Sequence, residues 1–339
     1  MNIKIVLLPL VLATFAISCT KPVEEVNVYS GRHYASDEAL FAQFTEETGI
    51  KVNLIKADSD QLLGRLEIEG KKSPADLFIA PDISRLSRAS LLGLLARLPE
   101  NGWLKIVPPM YRDKNGFWTG LTMRARVIVY APERIDSSLI SNYEDLVGDK
   151  LKGRLIMRSI QSQYNQSLLA SIIVHDGEAV AGDWVSGLVS NFAREPQGND
   201  RDQMKAIASG IADVSVVNTY YLGQMLHSAN EEERRVAASL SLLFPNQYDR
   251  GTHVNVSGAG VLRNAPNSKN ALRLLEFLLS KSSQEYLSNS NFEYPVNPDA
   301  QTTELLRQWG VFRADTIDLN QLNARLDQAL MIARTGGWK

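Results

Sequence analysis

The sequence predicts an α/β protein in two lobes, its mostly parallel sheets flanked by helices and joined at a hinge. Three observations lead there. From Val26 onward, short β-rich runs alternate with amphipathic helical runs, the order that builds parallel sheets covered by helices. The alternation comes as two series, linked by two long β-rich stretches at residues 116–132 and 252–263. A chain of 339 residues also exceeds what one hydrophobic core usually organises.

In the first series, "VNVYS" is a strand and "SDEALFAQFTEETG" a helix. Ser36 is placed to cap that helix, Asp37 and Glu38 suit its positive end, and Gly49 stops it. "KVNLIKA" is a strand, "SDQLLGRLEIEG" a helix, "ADLFIA" a strand and "ISRLSRASLLGLLA" a helix opened by Pro81-Asp82. The second series reads "GRLIMRS" as a strand, then "NQSLLASIIVHDG", "DWVSGLVSNFAR" and "DQMKAIASG" as helices, then "ADVSVVN" as a strand. "SKNALRLLEFLLSKSSQEYL" reads as one long amphipathic helix, and "LNQLNARLDQALMIAR" as another near the end. "SGAG" reads as a glycine turn at a strand end.

The start of the chain has a different purpose. Lys4, the apolar run "IVLLPLVLATFAI" and then "SC" form a secretory signal, too short for a membrane span of about 20 apolar residues. The small residues before Cys19 look like a bacterial lipoprotein cleavage site. The expected organisation is a signal peptide at 1–18, a lipidated tether at 19–25, a first lobe at 26–123 plus 252–300, and a second lobe at 124–251 plus 301–339. Cys19 is the single cysteine, which excludes an internal disulfide and a multi-thiolate metal site. The mature chain would be periplasmic, monomeric and tied to a membrane only through that lipid. A net charge of −2, from 36 basic and 38 acidic residues, gives no sign of nucleic-acid binding.

Ligands of open α/β sheets bind beyond the carboxyl ends of the strands, so the chemistry is sought there. "VNVYSG" runs into Arg32, His33 and Tyr34; "GRLIMRSIQSQ" runs into Tyr164; "ADVSVVNT" runs into Tyr220 and Tyr221. One crossing strand carries Arg124 and Arg126. Each tyrosine alone is commonly a packing residue with its hydroxyl at the surface. Together they read as a hard-metal site. A phenol stays neutral at pH 7, but a trivalent cation displaces its proton, and phenolate oxygen suits a hard, highly charged ion such as ferric iron. Four phenolates and one imidazole would leave one excess negative charge, which Arg32 or Arg126 could offset from behind the ligands.

The stretches "VYSGRHYASDEALFAQFTEETGIKV", "YNQSLL", "VVNTYYLGQM" and "HVNVSGAGV" resemble the substrate-binding proteins of bacterial ferric-iron ABC transporters, in order and over most of the mature chain. The resemblance implies a type II periplasmic-binding-protein fold that closes on Fe3+ as its transported ligand. It implies His33 and Tyr34 as ligands from the first lobe and Tyr164, Tyr220 and Tyr221 from the second. It also implies an inner-membrane ABC permease and its ATPase as partners. "RHY" with a third tyrosine before "NQ" resembles the tyrosine-rich members, for which a synergistic anion is optional. Gly31 departs from the family, where serine or alanine is common.

Two rival ligands fit the same fold. An organic cation would use Asp58, Asp60 and Asp82; a phosphate-like anion would use Arg32, Arg124 and Arg126. Neither uses the tyrosines. The chain is not read as an enzyme, since it has no HExxH, P-loop, GxSxG or GxGxxG motif.

Overall fold

The computed structural model describes residues 24–100 and 102–339. The signal peptide, Cys19 and all but the last two residues of the tether lie outside the described residues. The elements run β1 (Glu25–Ser30), α1 (Ala35–Thr48), β2 (Lys51–Lys56), α2 (Ser59–Glu69), β3 (Leu77–Ala80), α3 (Ile83–Leu91), α4 (Gly102–Lys105) and β4 (Thr119–Tyr130). They continue with β5 (Leu155–Ile156), α5 (Gln163–Asn191), α6 (Asp200–Ala208), β6 (Val214–Asn218), α7 (Thr219–Leu226), α8 (Glu231–Ala238) and β7 (Ser241–Leu243). The remainder is β8 (Val254–Val261), α9 (Ser268–Leu279), α10 (Lys281–Asn291), β9 (Tyr294–Pro295), α11 (Glu304–Gln308), α12 (Leu319–Asn323) and α13 (Leu326–Thr335). None of the described helices is long and apolar enough to cross a membrane.

The strands lie in the order β2-β1-β3-β8-β4-β6-β5. The outer pairs β1–β2, β1–β3 and β5–β6 are parallel, each joined through a helix. The two crossing strands add antiparallel pairs, so the sheet as a whole is mixed. β4 changes partner midway: its residues up to Ala125 pair with β8, and those from Arg126 onward pair with β6. One continuous strand therefore belongs to both halves, and the cleft opens where it passes between them.

Gly258 and Gly260 sit inside β8, paired with Ala80 and Phe78 of β3 respectively, and are not the turn expected of "SGAG". A Cβ on Gly258 would come within 2.5 Å of the Thr119 carbonyl oxygen and 2.8 Å of Leu86. Backbone cannot rotate away as a side chain can, so Gly258→Ala is expected to destabilise the fold by about 1–3 kcal/mol. Urea denaturation measures this, and an unchanged midpoint would contradict the close packing.

Local chemistry redraws several helix ends. α1 starts at Ala35 after an extended Tyr34, and no side chain caps it. The expected cap, Ser36, instead donates to Asn291 Oδ1 at 2.8 Å. α3 ends at Leu91, because Gly93 turns left-handed with φ 70°. The long helix expected after residue 268 divides at Ser280, whose hydroxyl accepts from the Ser283 N–H and caps a second helix. α5 carries a break at Gly177, φ 86°, between the two helices expected there.

Candidate metal centre

Three strand ends meet at the cleft. The β1–α1 junction supplies residues 31–34, the β5–α5 junction supplies Arg158 to Tyr164, and the β6–α7 junction supplies Tyr220 and Tyr221. Arg32, His33, Tyr34, Tyr164, Tyr220 and Tyr221 all line one cavity of about 530 Å³. The rings of Tyr34 and Tyr220 meet edge to face across the cleft, their centroids 6.2 Å apart. Tyr220 and Tyr221 lie 4.0 Å apart and tilted by 32°. Tyr220 and Tyr164 are buried, Tyr34 and Tyr221 half-buried, and His33 is exposed at the rim. Among the described residues no group of three or more His, Cys, Asp or Glu is placed to hold a metal, so the donor set here is phenolic.

Burial and crowding make Tyr34, Tyr220 and Tyr221 hard to ionise. Burial pushes the Tyr220 hydroxyl well above its ordinary range, and the neighbouring Tyr164, Tyr34 and Tyr221 push it further. Tyr34 is raised by burial and by Glu293, and Tyr221 by burial and by Tyr164. These three hydroxyls are therefore neutral at pH 7 without a cation beside them, and a strong Lewis acid must supply the energy to deprotonate them.

Buried arginines surround the phenols. Arg124 is fully buried, 5.7 Å from the Tyr220 ring and 5.9 Å from that of Tyr164. It donates twice to the Pro81 carbonyl, at 2.9 and 2.7 Å, which ties the crossing strand to the cleft wall. Its Nε lies 3.1 Å from Glu293 Oε1, an ion pair without hydrogen-bond alignment.

Arg32 and Arg126 lie behind the phenols, 4.8 Å from the Tyr34 ring and 5.9 Å from the Tyr164 ring, and both are held by internal partners. All five N–H groups of Arg32 are engaged: two on Asp37, two on the Thr122 and Ser257 hydroxyls and one on Glu293. It lies 4.8 Å from the Tyr34 ring but has no donor left for an anion. Arg126 does not line the cavity. It sits behind Tyr164, donating to Asp200 at 2.8 Å and to Asn165 at 2.6 Å.

Arg158, Asp200 and Glu293 also belong to the site, and the strand-end pattern does not single them out. Arg158 lines the cavity, 5.7 Å from the Tyr164 ring. Asp200 accepts from Arg126, Arg158 and the Asn218 N–H, so one carboxylate pins both strand ends that lead to the second-half tyrosines. Arg158 was visible as the cation ending "GRLIMR", directly before the Tyr164 loop; Asp200 and Glu293 left no local signal.

The remaining residues of interest also have structural partners. Asp58 and Asp82 cap α2 and α3 by accepting from the N–H groups of Asp60 and Ser84. Asp60 pairs with Arg85 at 2.8 Å. Gly31 is explained by Ser59, whose hydroxyl stands 2.0 Å from where a Cβ would be.

The family described as bacterial extracellular solute-binding protein matches residues 72–310. The chain is 45% identical to iron uptake protein A1 of Synechocystis over 93% of its length and 88% of that protein's. Among solved structures it is similar to a Trichodesmium protein in complex with iron and citrate ligands, with TM-score 0.89, 41% identity, and coverage of 93% of this chain and 100% of that one. It is also similar to the ferric binding protein of Campylobacter jejuni, with TM-score 0.87, 40% identity, and the same coverage of 93% and 100%.

Proposed function

The chain belongs to the ferric iron-binding family of periplasmic solute-binding proteins, and from that premise we propose that it binds ferric iron in its cleft through tyrosine phenolates for delivery to an ABC permease. The observation that carries this reading is the convergence of Tyr34, Tyr164, Tyr220 and Tyr221 on one cavity, with His33 at its rim. The family binds solutes and performs no catalysis. Two lobes, 26–123 with 252–300 and 124–251 with 301–339, close on the ion. Cys19 carries the lipid that holds the exported monomer near the permease and its ATPase.

Coordination converts neutral phenols to phenolates and releases their protons. Arg124 offsets the charge excess of four phenolates over Fe3+, because it lies against two of them, 5.9 Å from the Tyr164 ring and 5.7 Å from the Tyr220 ring. The cavity of about 530 Å³ leaves room for a small anion beside the ion. Arg158 faces that space, and a carboxylate there fits the citrate seen with the Trichodesmium relative. The organic-cation alternative loses its acids to capping and to Arg85; the anion alternative loses Arg32 and Arg126 to internal partners.

Soluble protein starting after Cys19, loaded with ferric citrate, should turn orange to red from phenolate-to-iron charge transfer and hold iron by elemental analysis. Colourless, iron-free protein would reject the reading. Because each phenol must lose a proton to bind, affinity should rise with pH and fall steadily on acidification. Iron retention unchanged from neutral to strongly acidic pH would rule out phenolate ligands.

A further inference from the structure

We propose that residues 318–339 form a strap that holds the cleft closed and slows ligand release, an inference that rests on the iron-binding reading for its ligand. The strap was expected to belong wholly to the second lobe. Its far end does. α13 packs along α5, the helix that begins beside Tyr164. Trp338 is fully buried, edge-on to Trp184 and Phe192, and its indole N–H donates to the Arg158 carbonyl at 3.1 Å. The Ile160 N–H donates to the Lys339 carbonyl at 3.1 Å. The strap thus grips the Arg158–Tyr164 loop from below.

The near end grips the other lobe. α12 packs on α3 as well as on α5. Asn323 Nδ2 donates to Ser87 Oγ at 2.5 Å, and Ser87 Oγ donates to Asn320 Oδ1 at 3.3 Å. Asn320 Nδ2 donates to Asp113 Oδ1 at 3.2 Å, and Lys114 Nζ lies 2.7 Å from Asp318. These commitments coincide with the break between α12 and α13, where one continuous helix was expected. A cavity of about 750 Å³ between α2–α3 and the strap shares Asp60 and Arg85 with the metal cleft, so the strap lies beside the cleft, within reach of its opening.

With its far end fixed to the Tyr164 loop, the strap can let the lobes part only by giving up the contacts of α12. Each is a single hydrogen bond or a surface ion pair, weak enough to break and re-form as the lobes move. None of these side chains is a proposed metal ligand.

The test compares iron transfer to excess EDTA, and the radius of gyration of the iron-free protein by solution scattering. Asn320→Ala with Asn323→Ala should speed transfer about tenfold and enlarge the iron-free protein, with the visible band unmoved. Lys114→Glu faces Asp318 with a like charge and should speed transfer about threefold; adding Asp318→Lys restores the pair but removes the Asp318 cap on the Asn320 N–H, so it should bring the rate back part of the way. That rescue separates a strap from general loosening. Wild-type rates and dimensions in all variants would overturn the strap. Wild-type protein that takes up no iron would overturn the iron reading instead, while the scattering comparison still decides the strap.

Discussion

Tyr220→Phe and Tyr221→Phe are each expected to lower ferric-iron affinity by at least about 100-fold, beyond the roughly 10–100-fold typical of losing a partner behind a ligand. The phenyl ring keeps residue 220 packed against Tyr34, or residue 221 packed against Tyr220, so what is lost is one anionic oxygen and not the shape of the cleft. The charge-transfer band should weaken in step. Tyr111→Phe is the control: Tyr111 is buried and its hydroxyl raised to about 12 by burial alone, but it does not line the cavity. Competition against citrate measures all three. Equal affinities would exclude the pair as ligands.

The second large effect is on stability. Glu293 is fully buried between Arg32 and Arg124 and also accepts from the Thr122 hydroxyl at 3.0 Å. Glu293→Ala would leave two buried guanidinium groups short of a counter-charge, at a cost of about 3–5 kcal/mol. The same residue gives the fold an acid-sensitive component. Burial raises the Glu293 carboxyl, but Arg32 and Arg124 outweigh burial and hold it below its usual range. A carboxyl depressed by folding stabilises fully above its unfolded value, about 4.3, and loses that contribution as pH falls through the folded value. Urea midpoints followed from pH 7 down to pH 3 should therefore fall more gently in Glu293→Ala than in wild type. A parallel fall in both would assign the acid branch to other carboxylates.

The ligand candidates were legible because strand ends are local events. "VNVYSG", "RLIMRS" and "ADVSVVN" each announce a strand, and the residue types after them name the chemistry. The helix ends were partly legible. Gly49 stops α1 as a left-handed residue at φ 73°, yet Ser280 divides a helix whose apolar spacing runs unbroken. A serine cap competes with helix continuation at small cost, and pattern alone does not say which wins.

What the sequence determined by itself is the alternation of strands and helices, the two crossings, and the set of phenols carried to the strand ends. These follow from periodicity and from side-chain chemistry, which act over a few residues. What only the tertiary structure decided is the charge arrangement behind the phenols. Arg126 meets Asp200 across 74 positions and Arg32 meets Glu293 across 261. A buried guanidinium must find a carboxylate somewhere, because leaving it unpaired in a low dielectric is too costly. Which carboxylate it finds depends on how both halves fold around β4. That choice tied Arg32 and Arg126 to carboxylates inside the protein, and it left Arg158 lining the cleft beside the tyrosines.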